Sequence, residues 1–189
     1  MMKLRKITTS FPKMKHLNAL AREAFPPEEH IPPEELIRMS QEGAMDFWAL
    51  YDGTKFIGFI VAVTFKTMAY LFFLAIDASC RSHGYGSKAL SLFAEQYPGC
   101  THVVDMEMPE ENAPNVEQRI ARKKFYLRNG YKETGQYLTY RSTSFEVLCL
   151  ENHFSIELFK ELMDTLPVKN FNPRFFTQAE SEERESHII

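Results

Sequence analysis

YLFFLAIDASCRSHGYGSKALSL, residues Tyr70 to Leu92, decides how this chain is read. Tyr70 to Ile76 is an apolar run, rich in aromatics and too short for a helix, which predicts a buried strand. Asp77-Ala78-Ser79 breaks the run. After Arg81-Ser82-His83-Gly84-Tyr85-Gly86-Ser87, the apolar residues Ala89, Leu90, Phe93, Ala94 and Tyr97 fall at helical spacing. The unit is strand, glycine turn, helix. Two glycines let backbone N–H groups converge at a helix N-terminus, where the dipole favours negative charge, so such a turn suits a pyrophosphate. Arg81 adds a fixed cation beside it. A plain connecting turn would use the same glycines, so the flanking sequence must decide.

Three nucleotide-site patterns compete for these residues. A Walker loop needs Gly-Lys-Ser/Thr, and here Ser87 precedes Lys88 after Gly86, so that reading fails. The dinucleotide fingerprint G-x-G-x-x-G/A is matched by Gly84, Gly86 and Ala89, with Asp105 about 20 residues downstream as a ribose ligand, which would make the protein an NAD(P)-binding oxidoreductase. The third pattern, Arg-x-x-Gly-x-Gly, is met by Arg81, Gly84 and Gly86. It closely resembles the acyl-CoA-binding motif of the GCN5-related N-acetyltransferase (GNAT) family.

Composition narrows the classes further. The chain has 189 residues, 44% apolar and 25% charged, with a net charge of −3, as expected of one globular domain with a sizeable core. The absence of a basic excess argues against a nucleic-acid partner. Cys80, Cys100 and Cys149 are far apart and odd in number, which points to a reduced compartment and no structural zinc. MMKLRKITTSF lacks an apolar leader, and no apolar run reaches 18 residues, so a cytoplasmic protein without a membrane span is expected.

In chain order, Met2 to Thr8 reads as a strand, and Ser10 is positioned to cap a helix from Pro12 with Leu17, Leu20, Ala21, Ala24 and Phe25 as its apolar stripe. Phe25 to Pro33 is a proline-stiffened connector carrying Glu28, Glu29 and His30. These are weak candidates for attracting a cationic substrate, or simply a solvated charged loop. A helix follows to about Gln41. Asp46 to Tyr51 and Phe56 to Phe65 form a hairpin about Asp52-Gly53-Thr54-Lys55. Beyond the glycine turn and its helix, Thr101 to Met106 is a strand ending in Glu107. Asn115 begins a helix that stops at Asn129-Gly130, where glycine suits the left-handed C-terminal position. Tyr131 to Tyr140 and Ser144 to Leu150 are a last pair of strands, and Ser155 caps a helix over Ile156 to Leu166. These elements place a single domain over residues 1–167. Residues 168–189 form an aromatic extension and charged tail, and the extension leaves a homodimer open.

This order predicts an α/β fold with a central mixed, mostly antiparallel sheet flanked by helices. A dinucleotide-binding domain would begin with the glycine-turn unit and add further parallel crossovers, whereas here one crossover follows. Phe125-Tyr126-Leu127-Arg128-Asn129-Gly130-Tyr131 is similar to the second GNAT motif, in which a tyrosine four residues before the glycine stands near the thioester sulfur. The two motifs and the strand order together span about Lys3 to Leu150.

The resemblance implies an acetyl-CoA-dependent N-acetyltransferase acting on a small-molecule or peptide primary amine by direct attack, with no metal. It further implies that Leu74, Ala75 and Ile76 offer backbone groups to the pantetheine arm. Arg81, Ser82, His83, Gly84, Tyr85, Gly86 and Ser87 would hold the pyrophosphate, and Tyr126 would give a proton or a hydrogen bond to the leaving thiolate. A member that binds CoA only as a sensor would share these residues. The sequence departs from the family at two points. Arg119 stands seven residues before the tyrosine, where many members have a cofactor-contacting asparagine, and Tyr70 to Ile76 contains no catalytic glutamate. Glu107, at the end of its strand, is the substitute candidate for general base, and equally an ordinary strand-end charge. Cys80 beside Arg81 suggests an activated thiol, but no histidine partner is evident by spacing.

Overall fold

The computed structural model describes residues 1–27, 29–140, 142–169 and 171–180, arranged as two compact units, Met1–Cys100 and Thr101–Ile189. In the first unit, strands β1 (Met2–Lys6), β2 (Asp46–Asp52), β3 (Lys55–Phe65) and β4 (Met68–Ile76) pair antiparallel in that order, with helices α1 (Met14–Ala24), α2 (Pro33–Gln41) and α3 (Tyr85–Gln96). The second unit holds strands β5 (Thr101–Glu107), β6 (Lys132–Tyr140), β7 (Thr143–Cys149) and β8 (Arg174–Thr177). They pair antiparallel in the order β5, β7, β6, β8, accompanied by helices α4 (Val116–Arg128) and α5 (Ile156–Asp164). The α/β class and the antiparallel pairing are those expected.

In the first unit the aromatic hairpin is core. Phe47, Phe59, Leu50, Ile57 and Ile60 are fully enclosed, and each such side chain contributes about 1.5–3 kcal/mol by leaving water. Phe25, just past α1, closes over them with its ring 4.3 Å from Phe73 and 6.2 Å from Phe59. The aromatic bulk therefore packs the end of α1 onto strands β3 and β4. Pro33 at the start of α2 has no amide to leave unsatisfied, and Glu34 and Glu35 follow in its first turn, where the dipole favours carboxylates.

One expected cap is absent. Helix α1 starts at Met14 without a side-chain cap, and the Ser10 hydroxyl lies 3.0 Å from Thr8 Oγ1 instead. Ser155 does cap α5, accepting from the Leu158 amide at 3.1 Å. The aromatic extension is placed within its own unit. Strand β8 pairs with β6, Phe176 stacks on Tyr137 at 5.4 Å, and Phe175 meets Phe159 edge-on at 6.1 Å. No helix among the described residues is long and apolar enough to cross a membrane, and no group of three or more His, Cys, Asp or Glu among them is arranged to hold a metal.

Candidate functional site

In the first unit, the glycine turn is held from both ends. Asp77 caps the 3-10 turn Ala78–Cys80, accepting from the Ser79 amide at 2.9 Å and the Ser79 hydroxyl at 2.5 Å, while its other oxygen bonds His16 Nε2 from α1. The Ser79 hydrogen bonds, aided by His16 and outweighing the effect of burial, hold the Asp77 carboxyl below its ordinary range. Arg81 reaches back to the end of β4, where its Nε donates to the Ile76 carbonyl at 3.0 Å and its Nη2 pairs with Glu23 at 2.7 Å. The His83 ring lies with Nδ1 2.6 Å from the Arg81 carbonyl. This fastens the turn to strand and helix with side chains the sequence reading had not linked to it: His16, Glu23 and Asp77.

The two glycines do different work. Gly84 has φ +76°, in the left-handed region, and a Cβ there would meet nothing within 4 Å, so the glycine is required by the backbone and faces open space. Gly86 lies inside the first turn of α3. That helix has no side-chain N-cap, which leaves its first amides, those of Tyr85, Gly86 and Ser87, directed outward at the positive end of the dipole. Tyr85 turns aside and donates to Asp52 Oδ2 at 2.9 Å, with Lys88 Nζ 5.2 Å from its ring centre. Leu74, Ala75 and Ile76 pair with Ile60, Phe59 and Gly58 of β3.

Of the connector candidates, Glu28 lies outside the described residues. The Glu29 and His30 amides both donate to the Pro26 carbonyl, at 3.0 and 2.9 Å, so the connector is a tight turn. His30 Nε2 is enclosed with no hydrogen-bond partner among the described residues.

In the second unit, Tyr126 projects from the last turn of α4 and is buried, its ring edge-on to Phe125 at 5.2 Å and to Tyr131 at 5.6 Å. Burial, countered in part by Arg122, pushes its phenol up from the ordinary 10.0 to about 12. Tyr126 is thus protonated throughout the neutral range. Tyr97 and Tyr131 are also raised, chiefly by burial. Each of these phenols ionises less readily in the folded chain than in the unfolded one. Their stabilisation is therefore intact below pH 10 and lost as pH rises from 10 toward 12 and beyond. Each withdraws about 1.4 kcal/mol per pH unit in that window. Denaturant melts at pH 8, 10 and 11 should show a small loss at pH 10, about 0.4 kcal/mol for each phenol, and a marked further loss at pH 11.

Glu107 is enclosed among cationic side chains. It is 7% exposed, its Oε1 is 2.8 Å from Arg119 Nη2, its Oε2 is 3.1 Å from Arg122 Nη1, and Asn115 Nδ2 donates to Oε2 at 3.5 Å. Arg119 is equally buried, and also donates to Asn115 Oδ1 at 2.8 Å and to the Met108 carbonyl at 2.9 Å. Both carboxylate oxygens serve in fastening α4 to the end of β5. The same network accounts for Arg119, the residue departing from the family pattern. Removing one member of a buried pair leaves an uncompensated charge. Arg119→Ala should therefore cost about 3 kcal/mol and lower Tm by about 6–12 °C, read by thermal melting.

Residues 43–133 match the family model of the acetyltransferase (GNAT) domain. A search of the curated proteins returns no match. Among solved structures, an acetyltransferase described as of the GNAT family from Bacteroides thetaiotaomicron superposes with TM-score 0.70 at 24% identity, covering 89% of this chain and 98% of its own. A GNAT acetyltransferase from Elizabethkingia anophelis, solved with acetyl-CoA bound, gives 0.53 at 15% identity over 79% and 97%. The aminoglycoside 6'-N-acetyltransferase from Enterococcus faecium gives 0.59 at 15% identity over 81% and 99%. At these identities the likenesses establish the fold.

Proposed function

We propose, for a chain that carries a GNAT acetyltransferase domain, the transfer of the acetyl group of acetyl-CoA to a primary amine by direct attack. The observation that carries this reading is Tyr126, a buried, proton-bearing phenol at the position matching the family's tyrosine. The uncapped start of α3 behind Gly84, with open space above it, fits a pyrophosphate. Arg81, Ser82, His83, Gly84, Tyr85, Gly86 and Ser87 bind that group, and the backbone of Leu74, Ala75 and Ile76 receives the pantetheine amides. Acetyl-CoA supplies the activated thioester. An acetyl-CoA-bound relative and an amine-acetylating one share the fold, which supports both substrates.

Magnitudes decide what Tyr126 contributes. A thiol ionises near 8.5, well below a phenol near 12, so full transfer of the phenol proton to the departing thiolate is uphill. Tyr126 instead donates a hydrogen bond that strengthens as negative charge develops on sulfur. A cationic acceptor is attracted by Glu29 of the connector, and the proton its nitrogen gives up passes to solvent as the N–C bond forms and the C–S bond breaks.

The test is thiol release from acetyl-CoA across a panel of primary, secondary and tertiary amines, with the intact mass of the protein followed in parallel. Amine-dependent release confined to primary amines, with an unmodified protein mass, is expected. An acetylated protein formed from acetyl-CoA alone would overturn direct attack.

A further inference from the structure

Helix α4 ends in a cap whose geometry bears directly on Tyr126. The Gly130 amide donates to the Leu127 carbonyl at 3.0 Å and the Tyr131 amide to the Tyr126 carbonyl at 3.2 Å, with Gly130 at φ +90°. This is the pair of bonds of a Schellman cap, in which the second residue beyond the helix end meets the residue three positions before it. Here those two residues are Tyr131 and Tyr126, and their rings are in edge contact at 5.6 Å. Tyr131 is 2% exposed, and its hydroxyl is enclosed with no hydrogen-bond partner among the described residues. An enclosed hydroxyl without a partner is costly, so what keeps this side chain in place is its ring.

We propose that Tyr131 is the positioning residue for Tyr126, its ring clamped by the helix cap against the Tyr126 ring so that the Tyr126 hydroxyl is held in one direction. This rests on Tyr126 being the hydrogen-bond donor of the reaction. The Tyr131 ring stands edge-on against the Tyr126 ring, and the two cap hydrogen bonds and the left-handed Gly130 fix the backbone that carries it. The short run Tyr126-Leu127-Arg128-Asn129-Gly130-Tyr131 is then a single device, a donor and its brace joined by five backbone steps.

Three variants test this, each assayed for kcat and KM and by ultraviolet titration of Tyr126, isolated by difference from the same variant carrying Tyr126→Phe. Tyr131→Phe keeps the ring and drops only the unbonded hydroxyl, and should stay within about twofold of the parent rate. Tyr131→Leu keeps bulk but not the flat ring, and should lower kcat about tenfold or more with KM for acetyl-CoA unchanged. It should also bring the Tyr126 ionisation down from about 12 toward 10 as the phenol loosens. Gly130→Ala strains the cap without touching either ring and should reproduce the Tyr131→Leu pattern. Full kcat in Tyr131→Leu, or an unmoved Tyr126 titration, would overturn the proposal. If Tyr126→Phe itself proves fully active, the donor reading fails, and the titration alone still decides whether Tyr131 braces Tyr126.

Discussion

Tyr126→Phe should lower kcat by about 10²- to 10³-fold while leaving the KM for acetyl-CoA within about twofold, the loss typical of removing one donor aimed at developing charge. The substitution deletes one oxygen from a buried ring that meets Phe125 and Tyr131 by its edges, so packing is retained. Stability should accordingly be unchanged. A fall in kcat with Tm preserved separates the chemical role from a structural one. Equal fall in kcat and Tm would mean that the hydroxyl serves the fold, and unaltered kcat would remove Tyr126 from the mechanism.

Gly58→Ala should be severely damaging for the addition of a single methyl. A Cβ at position 58 would sit 2.0 Å from the Ala75 carbonyl oxygen and 3.0 Å from the Ala75 carbonyl carbon and the Ile76 Cα, all backbone atoms with no rotamer to yield. The strand must shift, and β4 would be pushed away from β3 where Gly58 faces Ile76. Overpacking against backbone costs about 4 kcal/mol, near the upper end for single substitutions, which lowers Tm by about 8–16 °C in a chain of this size. The displaced segment is the one expected to hold the pantetheine arm, and it also carries the Ile76 carbonyl that anchors Arg81. Affinity for acetyl-CoA should fall together with Tm, by calorimetry and thermal melting of one preparation. A Tm within 2 °C of the parent would show that β4 moves freely there.

What could be read in the sequence was local. The strand, turn and helix around Gly84 follow from an apolar run, a residue suited to positive φ and a 3.6-residue period, and the stop of α4 at Asn129-Gly130 follows from the same glycine logic. Where distant residues meet, the reading ran out. Glu107 resembled a free strand-end carboxylate because nothing in the linear order says that Arg119 and Arg122 turn toward it one helix later. Ser10 had the chemistry of a cap, but the helix begins four residues on. The partner of the Phe175-Phe176 segment, β6, lies some forty residues earlier, and no local pattern names it. The run Phe56 to Phe65 reads as a strand, but nothing in it shows that the Ala75 carbonyl is set against Gly58. Tyr131 could be read only as the first residue of a strand, since its tie to Tyr126 depends on how the helix ends.

The most direct test of acetyl-CoA as the substrate of this chain is calorimetric titration of the purified protein with acetyl-CoA, with NADP in a second cell. Saturable heat with acetyl-CoA and none with NADP is the predicted result. Heat with NADP and none with acetyl-CoA would contradict the account and return Gly84, Gly86 and Ala89 to the role of a dinucleotide fingerprint.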